Sequence, residues 1–294
     1  GASALILNAG KATAAGTMTG GNLLLSGAPT LTIGSGGRAT LYSGRISSST
    51  GLTGLVGSGS GRFRYNSDES TTNYTLALGS GLHGIYRENP TVNVAVENKT
   101  MTYGNALPTW TYTTSGMVNG DQVAQAFASP SVSVGGATST SGSYTAGSHT
   151  LTASGMTSSQ LGYAVGTLTT GTMTVNTKAA TLSGLTAANK VYDGTTSATV
   201  AHSGATFTGL VTGDTVTASG TTGTFGTKQV GTGKTVTLSG TTYGGADAGN
   251  YTFTDQANTT AAITPKAATL SGLTAADKVY DGTTNATVDR KSVG

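Results

Sequence analysis

The chain has 294 residues, of which only 9% are charged, 15 basic against 12 acidic, for a formal net charge of +3. So few and such scattered charges do not make the basic face that nucleic acid or an anionic membrane surface requires, and the absence of cysteine excludes disulfides, thiolate metal sites and cysteine nucleophiles. With 46 glycines, 5 prolines, about a fifth of the residues threonine and 36% hydrophobic, the composition favours strands and tight turns around packed cores, an all-β fold, because threonine is β-branched and glycine supplies positive φ.

Residues 1–90 carry short apolar runs, Ala4-Leu5-Ile6-Leu7, Asn22-Leu23-Leu24-Leu25 and Leu31-Thr32-Ile33, separated by Gly/Ser turns. This spacing predicts the tail of a parallel β-helix, each coil giving a short strand. Charge and aromatics gather in Arg62-Phe63-Arg64-Tyr65-Asn66-Ser67-Asp68 and Ile85-Tyr86-Arg87-Glu88-Asn89-Pro90, read as a polar cap on that solenoid with Pro90 as a boundary.

The clearest feature is a repeat. Residues 178–200, KAATLSGLTAANKVYDGTTSATV, return at 266–288 as KAATLSGLTAADKVYDGTTNATV, changed only at Asn189/Asp277 and Ser197/Asn285. A period of about 88 residues is the size of a β-sandwich domain and longer than a solenoid coil. A weaker echo, Gly116-Met117-Val118-Asn119-Gly120-Asp121 against Gly209-Leu210-Val211-Thr212-Gly213-Asp214, places a diverged copy before it. The expected order is therefore a β-helix tail at 1–90, β-sandwich-like modules at 91–177 and 178–265, and a truncated second copy at 266–294. Strands with period 2, such as Thr235-Val236-Thr237-Leu238 and Tyr251-Thr252-Phe253-Thr254, put apolar residues on one face and threonine on the other. Linkers are almost absent, which predicts a monomeric, semi-rigid rod. No run approaches 18 apolar residues, so no membrane insertion is expected. The start, Gly1-Ala2-Ser3, reads as internal to a longer exported chain, and residues 289–294 break the repeat as a fragment end with non-native residues would.

Candidate chemistry is sparse. His83, His149 and His202 are far apart and lack metal-ligand spacing. Gly79-Ser80-Gly81-Leu82-His83-Gly84 matches G-x-G-x-x-G, but no helix pattern follows, so it reads as a turn. Gly233-Lys234-Thr235 lacks the upstream glycine of a phosphate loop, where Lys228 stands. The triplets Tyr192-Asp193-Gly194 and Tyr280-Asp281-Gly282 read as Asp-Gly turns, each anchored to the core by its tyrosine; Ca²⁺ held by the carboxylates is the competing reading. Trp110 and Tyr112, near Tyr103, are candidates for a sugar-stacking surface, against the alternative that a lone tryptophan fills the core. With no clustered acid, base or nucleophile, neither enzymatic activity nor a cofactor is expected.

The motif Lys190-Val191-Tyr192-Asp193-Gly194-Thr195-Thr196, repeated from Lys278, resembles the signature of the YDG repeat modules of large bacterial exoproteins. Asn98-Lys99-Thr100-Met101-Thr102-Tyr103-Gly104-Asn105 with Leu107-Pro108 is similar to the opening of the companion MBG module, and residues 1–90 resemble the end of a haemagglutinin-type β-helix. The resemblance implies a filamentous-haemagglutinin-like adhesin, exported by two-partner secretion and displayed on the bacterial outer surface. It also implies a role in cell adhesion or biofilm formation and a host-cell or biofilm glycan or protein receptor. A carbohydrate-binding module of an extracellular protein is the alternative. No catalytic residue is implied.

Overall fold

The computed structural model describes residues 3–127, 131–156 and 159–288. Residues 289–294, expected above to break the repeat, lie outside that range. Among the described residues helix is confined to α1 (Leu52–Val56), α2 (Val123–Ala126) and a 3-10 turn at Ala248–Asn250, so the chain is all-β. It divides into two compact units. The first comprises Gly1–Lys178, Val211–Asp214 and Gly249–Thr252, and the second Ala179–Leu210, Thr215–Ala248 and Phe253–Gly294.

In the first unit, β1 (Ser3–Asn8), β2 (Arg38–Ser43), β3 (Phe63–Arg64) and β4 (Gly81–Tyr86) form a sheet in the order β1-β2-β4-β3, every neighbouring pair parallel. Parallel neighbours need long crossovers, and glycine-rich loops supply them. β2 and β4 pair without a register break from Arg38↔Gly81 to Ser43↔Tyr86. Leu41, Leu52, Phe63, Leu82 and Ile85 are buried beside them, each contributing roughly 1.5–3 kcal/mol of burial.

Three sequence expectations change here. The G-x-G-x-x-G segment read as a turn is largely strand β4. A Cβ on Gly84 would stand 2.8 Å from the Phe63 ring, so the glycine lets that ring lie against the strand and hides the alternation. Of the three apolar runs expected to form rungs, only 4–7 lies in a strand; Leu24 makes a single parallel bridge to Thr50 and is 70% exposed. The segments read as a polar cap are mostly buried. Arg64 is fully enclosed and donates to the carbonyls of Gly61, Phe63 and Leu76 at 2.8, 2.7 and 3.0 Å, and Arg87 Nη2 donates to those of Ala9 and Gly21, both at 2.8 Å. A guanidinium with several fixed donors ties down loop carbonyls that would otherwise be buried unpaired.

The rest of the first unit holds β5 (Thr91–Val96), β6 (Lys99–Thr102), β7 (Tyr112–Ser115), β8 (Ser131–Val134), β9 (Gly147–Ser154), β10 (Ala164–Thr169) and β11 (Gly171–Asn176). They make two sheets, β10-β5-β7 and β6-β11-β9-β8. Val92, Val94 and Val96 of β5, Leu151 and Ala153 of β9, and Met173 and Val175 of β11 are buried. The threonines between those of β9 and β11 are exposed, the two-residue period of a strand with one face inward.

From residue 178 follow β12 (Lys178–Ser183), β13 (Thr186–Ala187), β14 (Lys190–Val191), β15 (Ser197–Ala198), β16 (Val200–Ala201), β17 (Thr206–Thr208), β18 (Thr217–Ser219), β19 (Thr222–Phe225), β20 (Gly231–Ser239), β21 (Thr242–Gly244), β22 (Tyr251–Thr254) and β23 (Asn258–Thr264). The largest sheet runs β14-β23-β20-β19-β15. Its inner face joins Leu182 and Leu185 in a core of Phe225, Val236, Leu238, Ala261 and Ile263, against which Tyr192, Phe207 and Tyr243 pack. Residues 266–288 are exposed throughout and contain no strand, only the isolated bridge Ala275↔Val288.

Candidate functional site

The repeated Lys-x-x-Asp-Gly-Thr turns carry the same ion pair in both copies. Lys190 Nζ lies 2.8 Å from Asp193 Oδ1, which also accepts the Thr195 N–H and hydroxyl at 2.9 Å each. Lys278, Asp281 and Thr283 repeat this at 2.8, 2.9 and 2.9 Å, although Tyr280 beside them is 93% exposed while Tyr192 packs on a core. The turn is therefore a local structure of its seven-residue sequence, with Gly194 and Gly282 both at positive φ, and tyrosine anchoring is present only in the first copy. The lysine ammonium holds the Asp193 carboxyl down to about 2, with the Thr195 N–H adding to the effect, and lowers that of Asp281 in the same way. A carboxylate already paired with an ammonium is a poor start for a cation site. No three His, Asp or Glu side chains cluster for a metal among the described residues.

The three histidines serve hydrogen bonds. His83 is buried in β4 and pushed down to about 4, by burial first, with the charges of Arg64, Arg62 and Arg38 acting the same way, which keeps it neutral at physiological pH. His149 Nε2 is 2.7 Å from Thr145 O, and His202 Nε2 is 3.0 Å from Thr221 Oγ1. Of the aromatic candidates, Trp110, two residues before β7, and Tyr112, its first residue, are half-buried, whereas Tyr103 is fully buried and so offers no face for stacking.

Tyr103 instead belongs to an arrangement that the sequence reading did not assemble. In the first unit its hydroxyl donates to Asp214 Oδ2 at 2.6 Å, and the Tyr251 hydroxyl donates to the same oxygen. The two rings meet edge to face at 5.4 Å. Asp214 closes a turn whose N–H bonds to Val211 O at 3.1 Å, and the Val211 N–H donates to the Tyr251 oxygen at 2.8 Å. An identical wiring surrounds Asp121. Its Oδ2 accepts the hydroxyls of Tyr65 at 2.7 Å and Tyr163 at 3.0 Å, its N–H bonds to Val118 O at 3.0 Å, and the Val118 N–H donates to the Tyr163 oxygen at 3.2 Å. The Tyr65 and Tyr163 rings are 4.5 Å apart. Both turns have a glycine at positive φ before the aspartate, Gly120 at 75° and Gly213 at 98°. Burial is the main cause that raises all four phenols, and it raises the Asp121 carboxyl as well, against the pull of its tyrosine donors.

The sequence showed half of these clasps, as the Gly-Asp echo, but not their tyrosines. Tyr163 and Tyr251 stand about 88 residues apart, in step with the repeat, which was the available signal. Comparison with domain families adds the decisive observation: residues 92–174 match the MBG domain (YGX type), and residues 176–261 and 264–294 match the YDG domain. The chain carries MBG and YDG domains. A comparison with curated proteins finds no match. Each clasp joins the turn of one matched domain to a tyrosine N-terminal to that domain: Asp121 of the MBG stretch to Tyr65, and Asp214 of the YDG stretch to Tyr103. No helix among the described residues is long and apolar enough to cross a membrane.

Proposed function

We propose that the chain is a structural stalk segment of a large secreted bacterial surface adhesin of the filamentous-haemagglutinin type, exported by two-partner secretion and acting in adhesion or biofilm formation without catalysis. Its parts are a β-helix tail over 1–90, an MBG β-sandwich over 91–177, a YDG β-sandwich over 178–265 and the opening of a second YDG module over 266–294. The observation that carries this reading is the tandem arrangement: the matched ranges 92–174, 176–261 and 264–294 leave no linker of any length between modules. The all-parallel sheet β1-β2-β4-β3 supports the β-helix, and the paired sheets with threonine outside support the sandwiches.

Pulling the chain from its ends tests the stalk. Each module should rupture as a discrete event that releases roughly 250–300 Å of chain, at about 3.3–3.6 Å per residue; smooth extension without ruptures would refute the reading. The partial exposure of Trp110 and Tyr112 favours one alternative, a carbohydrate-binding module. Glycan-array binding abolished by Trp110→Ala would establish that alternative in place of the stalk.

A further inference from the structure

Three tyrosines of this chain each directly follow an edge strand that pairs parallel with its neighbour; Tyr65 differs from the other two in that its N–H bonds to Leu161 O at 2.9 Å and not to the end of the paired strand. Tyr65 is the first residue after β3, which pairs parallel with β4, the last strand before the MBG stretch. Tyr103 is the first residue after β6, which pairs parallel with β11, the last strand before the YDG stretch, and its N–H bonds to Asn176 O at 2.8 Å. Tyr192 is the first residue after β14, which pairs parallel with β23, the last strand before the second YDG stretch, and its N–H bonds to Thr264 O at 2.9 Å. Each ring thus sits beside the point where the chain leaves one module and starts the next.

The first two hydroxyls are taken by the Val-x-Gly-Asp turn of the module that follows. The third makes no hydrogen bond among the described residues, and its ring is only half-buried on its own core. The surroundings differ in the same sense. A Cβ on Gly104, next to Tyr103, would fall 2.3 Å from Val211 Cγ2, because the incoming turn lies on that glycine, whereas Gly194, two residues after Tyr192, has open space within 4 Å. Residues 266–288 repeat the opening of the first YDG domain almost letter for letter, and the counterpart of the turn at 209–214 would fall beyond Gly294.

We infer that the Tyr192 surface is a docking site for the Val-x-Gly-Asp turn of a complete YDG module directly following this one, whose aspartate accepts the Tyr192 hydroxyl as Asp214 accepts that of Tyr103. The tyrosine after the parallel edge strand is then the outgoing half of a module joint, and the turn aspartate the incoming half. By the same pattern Tyr280 is the outgoing half of the next joint. The inference rests on the clasp geometry and stands apart from the stalk reading.

The test extends the full chain past residue 288 with a copy of residues 201–265, completing the second YDG module. Tyr192→Phe removes only the hydroxyl and leaves the ring packed. In the extended chain it should raise the unfolding constant of the added module about tenfold, the scale of one hydrogen bond to a carboxylate. Changing the added counterpart of Asp214 to asparagine should not add to that effect. In the 294-residue chain the same Tyr192→Phe should change unfolding less than twofold, and tyrosine absorbance should show one more phenol resisting alkaline titration in the extended chain than in its Tyr192→Phe variant. Equal effects of Tyr192→Phe in both chains, additive effects of the two substitutions, or an added module that stays unfolded would each overturn the inference.

Discussion

Asp121→Ala is the sharpest perturbation of the clasps. The Asp121 carboxylate is 3% exposed and accepts two hydroxyls from tyrosines that are themselves 0% and 5% exposed. Hydrogen bonds to a charged acceptor contribute about 1.5–3 kcal/mol each, and stranding a buried donor costs about 1–3 kcal/mol. The opposing effect is desolvation of the carboxylate, already evident in its raised pKa. The Asn119 amide and the Val118 N–H still reach the Tyr65 and Tyr163 oxygens at 3.0 and 3.2 Å, so the phenols keep some partners. The net expectation is a loss of about 2–4 kcal/mol, with Tyr65→Phe and Tyr163→Phe each losing about 1 kcal/mol. Trp110 is the single tryptophan and lies within the MBG stretch, so its fluorescence during urea unfolding reads the right part of the chain. A double-mutant cycle of Asp121→Ala with Tyr65→Phe should show strong coupling. Loss of less than 0.5 kcal/mol with additive behaviour would show that the clasp carries no stability, and the reasoning would fail.

Alkali gives a second measurement. Burial raises Tyr65 and Tyr163 above their ordinary value, with Asp121 adding to the effect, so folding favours the neutral phenols. Their contribution is complete below about pH 10, where unfolded tyrosine titrates, and is lost as pH rises toward the raised folded values. Stability should therefore fall above about pH 10, and Tyr65→Phe should flatten that fall; an unchanged slope would contradict the assignment. Gly162 has φ 96°, and a Cβ there would lie 2.2 Å from the Tyr65 carbonyl oxygen. Gly162→Ala should cost more than about 3 kcal/mol in thermal unfolding, whereas Gly142→Ala, also at positive φ but with nothing within 4 Å, should cost about 1 kcal/mol. Similar losses at both sites would remove steric contact as the cause.

What could be read in advance follows the range of the interaction. Val236 and Leu238 alternate with Thr235 and Thr237 in β20, and such a period is written locally, so strands such as β20 and β22 were foreseeable. The Asp-Gly segments are equally local: Asp281 forms the same bonds as Asp193 without a core beneath it. β4 was not legible, because Gly81 and Gly84 break its alternation to make room for Arg62 and Phe63, neighbours that exist only after folding. The clasps were legible in one half. The Val-x-Gly-Asp turn is a local pattern and appeared as an echo, but its tyrosines come from positions such as Tyr65 and Tyr251, whose only marks are their place beside a parallel edge strand or their step in the repeat. A repeat array thus writes its modules in local alternation and its joints in single residues at fixed topological positions. The two kinds of information need different searches: periodicity finds the first, and only the comparison of equivalent positions across copies finds the second.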